Sequence, residues 1–312
     1  MLPIILNNTI PRHVTLSRFD FDTKARTNVD YSQRDLRRAT EVSQGQQGLE
    51  VYYIKVKKPG AYRLDSVSSK DQLDVRLQSS EAMVFTCPEA TFTPISNDEY
   101  CQGMEQPLTM VVSGVPPLKV EYTRKVGTSA SQHQIDNIQP DNYISPLRKQ
   151  DHSSYSTEIN PAMSSEDDMD WAASHHVTLM FNLTLNSPTD YRYQINKVTD
   201  GTGNIIEYQE PVETKLTVHP PPSVKFECDT QRPAKLLIGS KTANLPLRLE
   251  GEAPWKIEYE YMNPESLELS QKTATLDNQV SSISVALSGD YKILSVQDRF
   301  CRGESNNSMG GD

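Results

Sequence analysis

Leu245-Pro246-Leu247-Arg248-Leu249-Glu250-Gly251-Glu252-Ala253-Pro254-Trp255-Lys256-Ile257-Glu258-Tyr259 decides the fold, because the chain states this pattern three times. Residues 108–122 align on it without gaps, and so do residues 2–16. Each block is an apolar run, a short turn with proline at one fixed place (Pro11, Pro117, Pro254), and a second alternating run. Alternation with period two places side chains on opposite faces of a strand, so each block predicts two strands joined by a turn. A motif that recurs along a chain predicts repeated modules in a row. Arrays of this kind span distance or bind; they rarely catalyse.

A second element follows each block. Gly60-Ala61-Tyr62-Arg63-Leu64-Asp65-Ser66-Val67, Tyr191-Arg192-Tyr193-Gln194-Ile195-Asn196-Lys197-Val198 and Gly289-Asp290-Tyr291-Lys292-Ile293-Leu294-Ser295-Val296 share Tyr-x-(Leu/Ile)-x-x-Val. The tyrosine and the aliphatic two places later face the same side of a strand. In immunoglobulin-like sandwiches a tyrosine near the start of strand F precedes the second core cysteine by two residues. Here that cysteine position holds Leu64, Ile195 and Ile293, which fill the space a cystine would take. The fold expected is all-β: tandem immunoglobulin-like β-sandwiches.

Module boundaries follow. A first module spans 1–84 and lacks its opening strand. A second spans 85–220. A third spans 221–312. The strand Met83–Cys87 is read as opening the second module, by analogy with Ser223–Cys228 of the third. Pro220-Pro221-Pro222 predicts an extended, semi-rigid joint. Corresponding leucines at 2, 108 and 245 are unevenly spaced, and the excess falls at about 127–175. That stretch is rich in Ser, Asn, Asp and Gln and predicts a long mobile loop. Leu36–Val42 could form one short helix. The first block starts at residue 2, in mid-module, so the chain reads as an excerpt.

Composition removes several functions. A net charge of −10 offers no basic stripe for nucleic acid and no electrostatic attraction to anionic lipid. No run reaches the roughly 18–20 apolar residues that cross a bilayer. The acidic run Glu166-Asp167-Asp168-Met169-Asp170 lacks the spacing and the glycine of a calcium loop. His175 and His176 are adjacent and would point to opposite faces of a strand, so they cannot share a metal. No nucleophile elbow, phosphate loop or dinucleotide fingerprint is present. The chain is expected to have no catalytic residue, cofactor or metal.

Four cysteines occur, at Cys87, Cys101, Cys228 and Cys301, none in a Cys-x-x-Cys pair. A bridge from Cys228 to Cys301 would tie the first strand of the third module to its last, and Cys101 is the candidate partner of Cys87. The other two connectivities are open. Asp98-Glu99-Tyr100-Cys101-Gln102-Gly103 echoes Asp298-Arg299-Phe300-Cys301-Arg302-Gly303. Asn-x-Ser/Thr sequons stand at Asn7, Asn182 and Asn306. Within Phe181-Asn182-Leu183-Thr184-Leu185 the asparagine takes the solvent face. Cysteines and sequons together favour an oxidising, glycosylating compartment.

Leu-x-Leu-x-Gly-x-x-Pro-Trp-x-Ile-x-Tyr (247–259) with Gly-x-Tyr-x-Ile-x-Ser-Val-x-Asp-x-Phe-Cys-x-Gly (289–303) resembles the luminal repeats of the large fungal pore-membrane glycoprotein of the nuclear pore complex. The similarity covers all three modules and is closest in the third. The first departs at Ser69 and Gln72, where Asp and Cys would stand, and the second at Gly203, again in place of Cys. The resemblance implies a structural scaffold in the perinuclear lumen, part of the luminal ring. It also implies copies of the chain and other membrane-ring proteins as partners, and a transmembrane anchor outside this excerpt. The rival readings are a cell-surface adhesion or receptor ectodomain and a carbohydrate-binding array.

Overall fold

The computed structural model describes residues 1–7, 9–38, 49–70, 75–77, 81–147, 166–227 and 242–304. Among them the regular structure is β-strand with short 3-10 turns, arranged as six sheets that pair into three sandwiches. In the first sandwich, Leu2–Asn7, Leu49–Ile54 and Leu36–Arg38 form one sheet. Arg26–Ser32, Pro11–Phe19, Gly60–Ser69 and Glu81–Val84 form the other. In the second, His175–Thr184, Glu105–Gly114 and Glu89–Phe92 face a five-stranded sheet of Ser129–Ile138, Leu118–Val126, Asp190–Thr199, Ile205–His219 and Glu99–Cys101. The third sets Ser223–Phe226, Ala243–Glu250 and Val280–Val285 against Leu269–Leu276, Trp255–Met262, Asp290–Gln297 and Arg302–Glu304.

The two strands of each repeated block go to opposite sheets, so the proline turn crosses between layers. Gly114 and Gly251 open the second and third turns at φ 146° and 116°. A Cβ there would lie 2.8 Å from Leu118 Cδ2 or 2.6 Å from Asp298 Oδ2, so glycine is needed at both places.

The three tyrosine elements take one register. Leu64 pairs with Leu16, Ile195 with Tyr122 and Ile293 with Tyr259, and in each tyrosine strand the next residue (Asp65, Asn196, Leu294) is the extra one of a β-bulge. Tyr62, Tyr193 and Tyr291 therefore occupy equivalent positions. Ile195 and Ile293 are buried in their cores, and Leu64 packs against its core. Burying an aliphatic side chain of this size is worth about 1.5–3 kcal/mol. Trp255, Ile257, Tyr259 and Tyr261 face the third core from alternate positions. The Trp255 Nε1–H donates to the Glu250 carbonyl at 3.3 Å.

Three expectations change. Met83 and Val84 close the first sandwich instead of opening the second, pairing with Ala61 and Gly60. The opening strand of the second is Glu89–Phe92, which follows Pro88 as Ser223–Phe226 follows Pro222. An apolar strand ending one module resembles one beginning the next, and only its hydrogen-bonded partner tells them apart. Leu36–Arg38 is strand, not helix, and residues 39–42 lie outside the described residues. The polar insertion carries regular structure: Ser129–Ile138 is an edge strand on Leu118–Val126, Glu166–Ala172 is a 3-10 turn, and residues 148–165 lie outside the described residues.

Candidate functional site: the joints between sandwiches

The first joint is an apolar core. Phe21 and Ala61 from the first sandwich meet Val115, Met169, Trp171 and Ala172 from the second, with Phe85 between them. The Phe85 ring lies 5.8 Å from Phe21 and 6.0 Å from Trp171. Such aromatic pairs add about 0.5–1.5 kcal/mol each beyond the area they bury. Trp171 and Met169 reach the joint from the 3-10 turn of the insertion. Lys24 and Asp170 pair across its rim at 2.8 Å, but both are well exposed and add little. The floor is backbone: Gly201 N–H donates to Val115 O at 2.8 Å, and Ser145 Oγ donates to Pro116 O at 2.6 Å. A Cβ on Gly201 would stand 2.5 Å from Pro116 O.

The second joint is covalent. Cys101 is bonded to Cys301, with Cα atoms 5.6 Å apart and 200 residues of sequence separation. The echoing loops at 98–103 and 298–303 thus face one another across two sandwiches. This corrects the expected pairings: Cys301 is taken by Cys101, so neither Cys228–Cys301 nor Cys87–Cys101 forms. Cys228 lies outside the described residues, and Cys87 is exposed and unbridged among them. The reason lies in topology. Glu99–Cys101 pairs in parallel with Thr217–His219, the end of the last long strand of its sandwich, and so stands where the chain enters the third.

Buried Asp298 shapes the partner loop. Its Oδ1 accepts from the backbone N–H groups of Phe300 (2.9 Å) and Cys301 (2.6 Å), and its Oδ2 from Glu252 N–H at 3.0 Å. Phe300 stacks on His219 at 3.9 Å, 5° from parallel, and His219 also holds Glu99. Gln102 N–H donates to His219 O at 2.9 Å. A Cβ on Gly303 would lie 2.0 Å from Pro222 O, so the proline joint is closed against the loop. At the first joint the same loop position carries Asp200, whose Oδ1 accepts from Thr202 and Asn204 N–H, and Gly203 where Cys301 stands.

The sequons are not brought together. Asn7 is exposed at the end of Leu2–Asn7, and Asn182 is exposed on His175–Thr184. Asn306 lies outside the described residues. Among the described residues no group of three or more potential ligands could hold a metal, and no helix is long and apolar enough to cross a membrane. Sequence reasoning missed Trp171. Its signal was the apolar island Met169–Ala173 inside a polar stretch.

Residues 1–84 match the family model of the Nucleoporin pom152-like first immunoglobulin-like domain, and residues 221–308 match that of the Nucleoporin POM152 Ig-like domain. Nucleoporin pom152 of Schizosaccharomyces pombe is 29% identical over 97% of this chain, and Nucleoporin POM152 of Saccharomyces cerevisiae 23% identical over 83%. The chain spans 27% and 20% of the length of these relatives. A chain from a complex of Dpr2 Ig1-Ig2 with DIP-Theta Ig1-Ig3 aligns over 98% of both chains at 11% identity, with a TM-score of 0.31. With two sandwiches matched by Pom152 models and 97% of the chain aligned to a Pom152 relative, the chain belongs to the Pom152 nucleoporin family and carries its immunoglobulin-like domains.

Proposed function

We propose that the chain is a structural spacer of the nuclear pore, a row of immunoglobulin-like modules in the perinuclear lumen that helps build the luminal membrane ring. The observation that carries this reading is the pair of joints. One is filled by an apolar core and the other is crossed by a disulfide, so neighbouring sandwiches hold fixed orientations. A spacer needs defined joints and no catalytic group, and the relatives named above are nucleoporins, not enzymes. A disulfide between modules also suits an oxidising lumen over cytosol. Partners in this reading are further copies of the chain and other membrane-ring proteins, and the membrane is reached through a segment outside these residues. Asn7 and Asn182 are exposed as glycan acceptors should be.

The test is made in cells on the full-length protein. Treatment with endoglycosidase H should lower its mass, and Asn182→Gln should remove part of that shift. Alkylation in intact nuclear envelopes should find Cys101 and Cys301 oxidised. An unglycosylated protein with both thiols reduced would place the modules on the cytosolic side and sink the proposal. Sedimentation of the purified chain tests self-association, and a concentration-independent monomer would remove the homotypic part.

A further inference from the structure

The register shared by the three sandwiches makes one exception visible. Arg18 and Arg124 are equivalent, each paired with the module's tyrosine: Arg18 with Tyr62, Arg124 with Tyr193. Both arginines project from the core-facing side of their strands. Arg18 is satisfied: its guanidinium pairs with Asp20, two residues on, and its Nε–H donates to Pro59 O at 2.8 Å. The residue two beyond Arg124 is Val126. Arg124 Nε is buried without a hydrogen-bond partner, and no carboxylate pairs with Arg124 among the described residues.

The tyrosine differs in the same way. Tyr62 and Tyr291 donate their hydroxyls to the carbonyls four residues upstream, Lys58 at 2.7 Å and Leu287 at 2.8 Å, as a tyrosine corner does. Tyr193 is 4% exposed, makes no such corner bond, and has the Arg124 side chain beside its hydroxyl. Here Tyr191 takes the corner, its oxygen accepting from Ser187 N–H at 3.1 Å. Burial pushes the Tyr193 phenol above its ordinary range, and the adjacent Arg124 charge works against that rise.

Arg124 and Tyr193 both line a cleft of about 380 Å³ on the flank of the second sandwich. Its walls are aromatic: Tyr122 stacks on His133 at 5.2 Å and meets Phe181 at 6.0 Å. The cleft opens between Ser129–Ile138 and His175–Thr184, each the outermost strand of its sheet. Arg124 is half-buried with its guanidinium 6.0 Å from the Tyr191 ring, and an incoming carboxylate would supply the counter-charge that Asp20 gives Arg18.

We propose that this cleft is a docking site for a protein segment that presents a carboxylate beside an apolar side chain, the acid taking the place on Arg124 that Asp20 takes on Arg18. The apolar side chain packs onto the exposed flank of the Tyr122 and Phe181 rings. A protein segment is favoured over a free small acid because two edge strands flank the opening and can align an extended backbone.

The probe is N-acetylphenylalanine, with its uncharged amide as control, titrated into the 312-residue chain by NMR. Saturable binding of the acid is expected, with shifts at Tyr122, Phe181 and Tyr193, and about tenfold weaker binding of the amide. Arg124→Gln should lose the preference for the acid. Val126→Asp, which supplies the missing carboxylate internally, should fold and abolish binding. Arg63→Gln, on an exposed arginine, should change nothing. Lack of saturable binding, equal binding of acid and amide, or undiminished binding to Val126→Asp would each overturn the proposal.

Discussion

Arg18 is 6% exposed and pointed at a core, where Asp20 supplies its counter-charge. Backbone N–H donation from Thr23, together with the Arg18 charge, holds the Asp20 carboxyl below its ordinary value. A lowered folded-state pKa means the contribution is full at neutral pH. It is lost as pH falls through the ordinary carboxylate range and below. Asp20→Asn should cost about 2–3 kcal/mol at neutral pH. It should also flatten the acid limb of the first sandwich's stability, read by urea unfolding from pH 7 downward. The tyrosines give a matched set. Tyr62→Phe and Tyr291→Phe each remove a corner hydrogen bond and should cost about 1 kcal/mol. Tyr193→Phe removes a hydroxyl that makes no corner bond and should cost clearly less than either. Equal losses in all three would show that the second sandwich keeps its corner on Tyr193 after all.

Among the elements, the turn Glu166–Ala172 does most for its length, since it seats Met169 and Trp171 between two sandwiches. Trp171→Ala should cost about 3–5 kcal/mol and split one unfolding transition into two, with the first sandwich melting earlier. Gly303→Ala should disrupt the other joint through its contact with Pro222 O. Calorimetry separates the two effects, because only the second should be masked by the intact disulfide. The element pattern was largely legible. Period-two alternation and the Tyr-x-(Leu/Ile)-x-x-Val run located strands and register, because both record which side of a strand meets the core. Trp171 was not legible, since a short apolar island carries no period and its partners lie about 90–150 residues upstream, at Phe85 and Phe21. The Cys101–Cys301 bond was hidden for a related reason. Each cysteine was read within its own module, whereas the bond depends on how two modules abut.

For the whole molecule, the joints predict different responses to one reagent. The disulfide closes 200 residues, which chain-entropy reasoning values at about 5 kcal/mol. A thiol reductant should loosen the second joint and leave the first as it was. Small-angle scattering should show a rise in maximum dimension on reduction, and Cys101→Ser should reproduce it without reductant. A scattering curve indifferent to both would mean that Phe300 on His219 and the closed Pro222 contact are sufficient to hold the angle.

Covalent closure across that joint also reroutes tension. A pull applied to the two ends of the polypeptide enters at residue 101 and leaves at residue 301 through a single S–S bond, bypassing every strand in between. At roughly 3.4 Å per residue, some 70 nm of contour is thereby withheld from extension. In an optical trap the oxidised chain should pay out little beyond its first sandwich, and the withheld length should appear only after reductant enters the cell. Under load the chain would then yield at its first sandwich and behave as an inextensible strap beyond it.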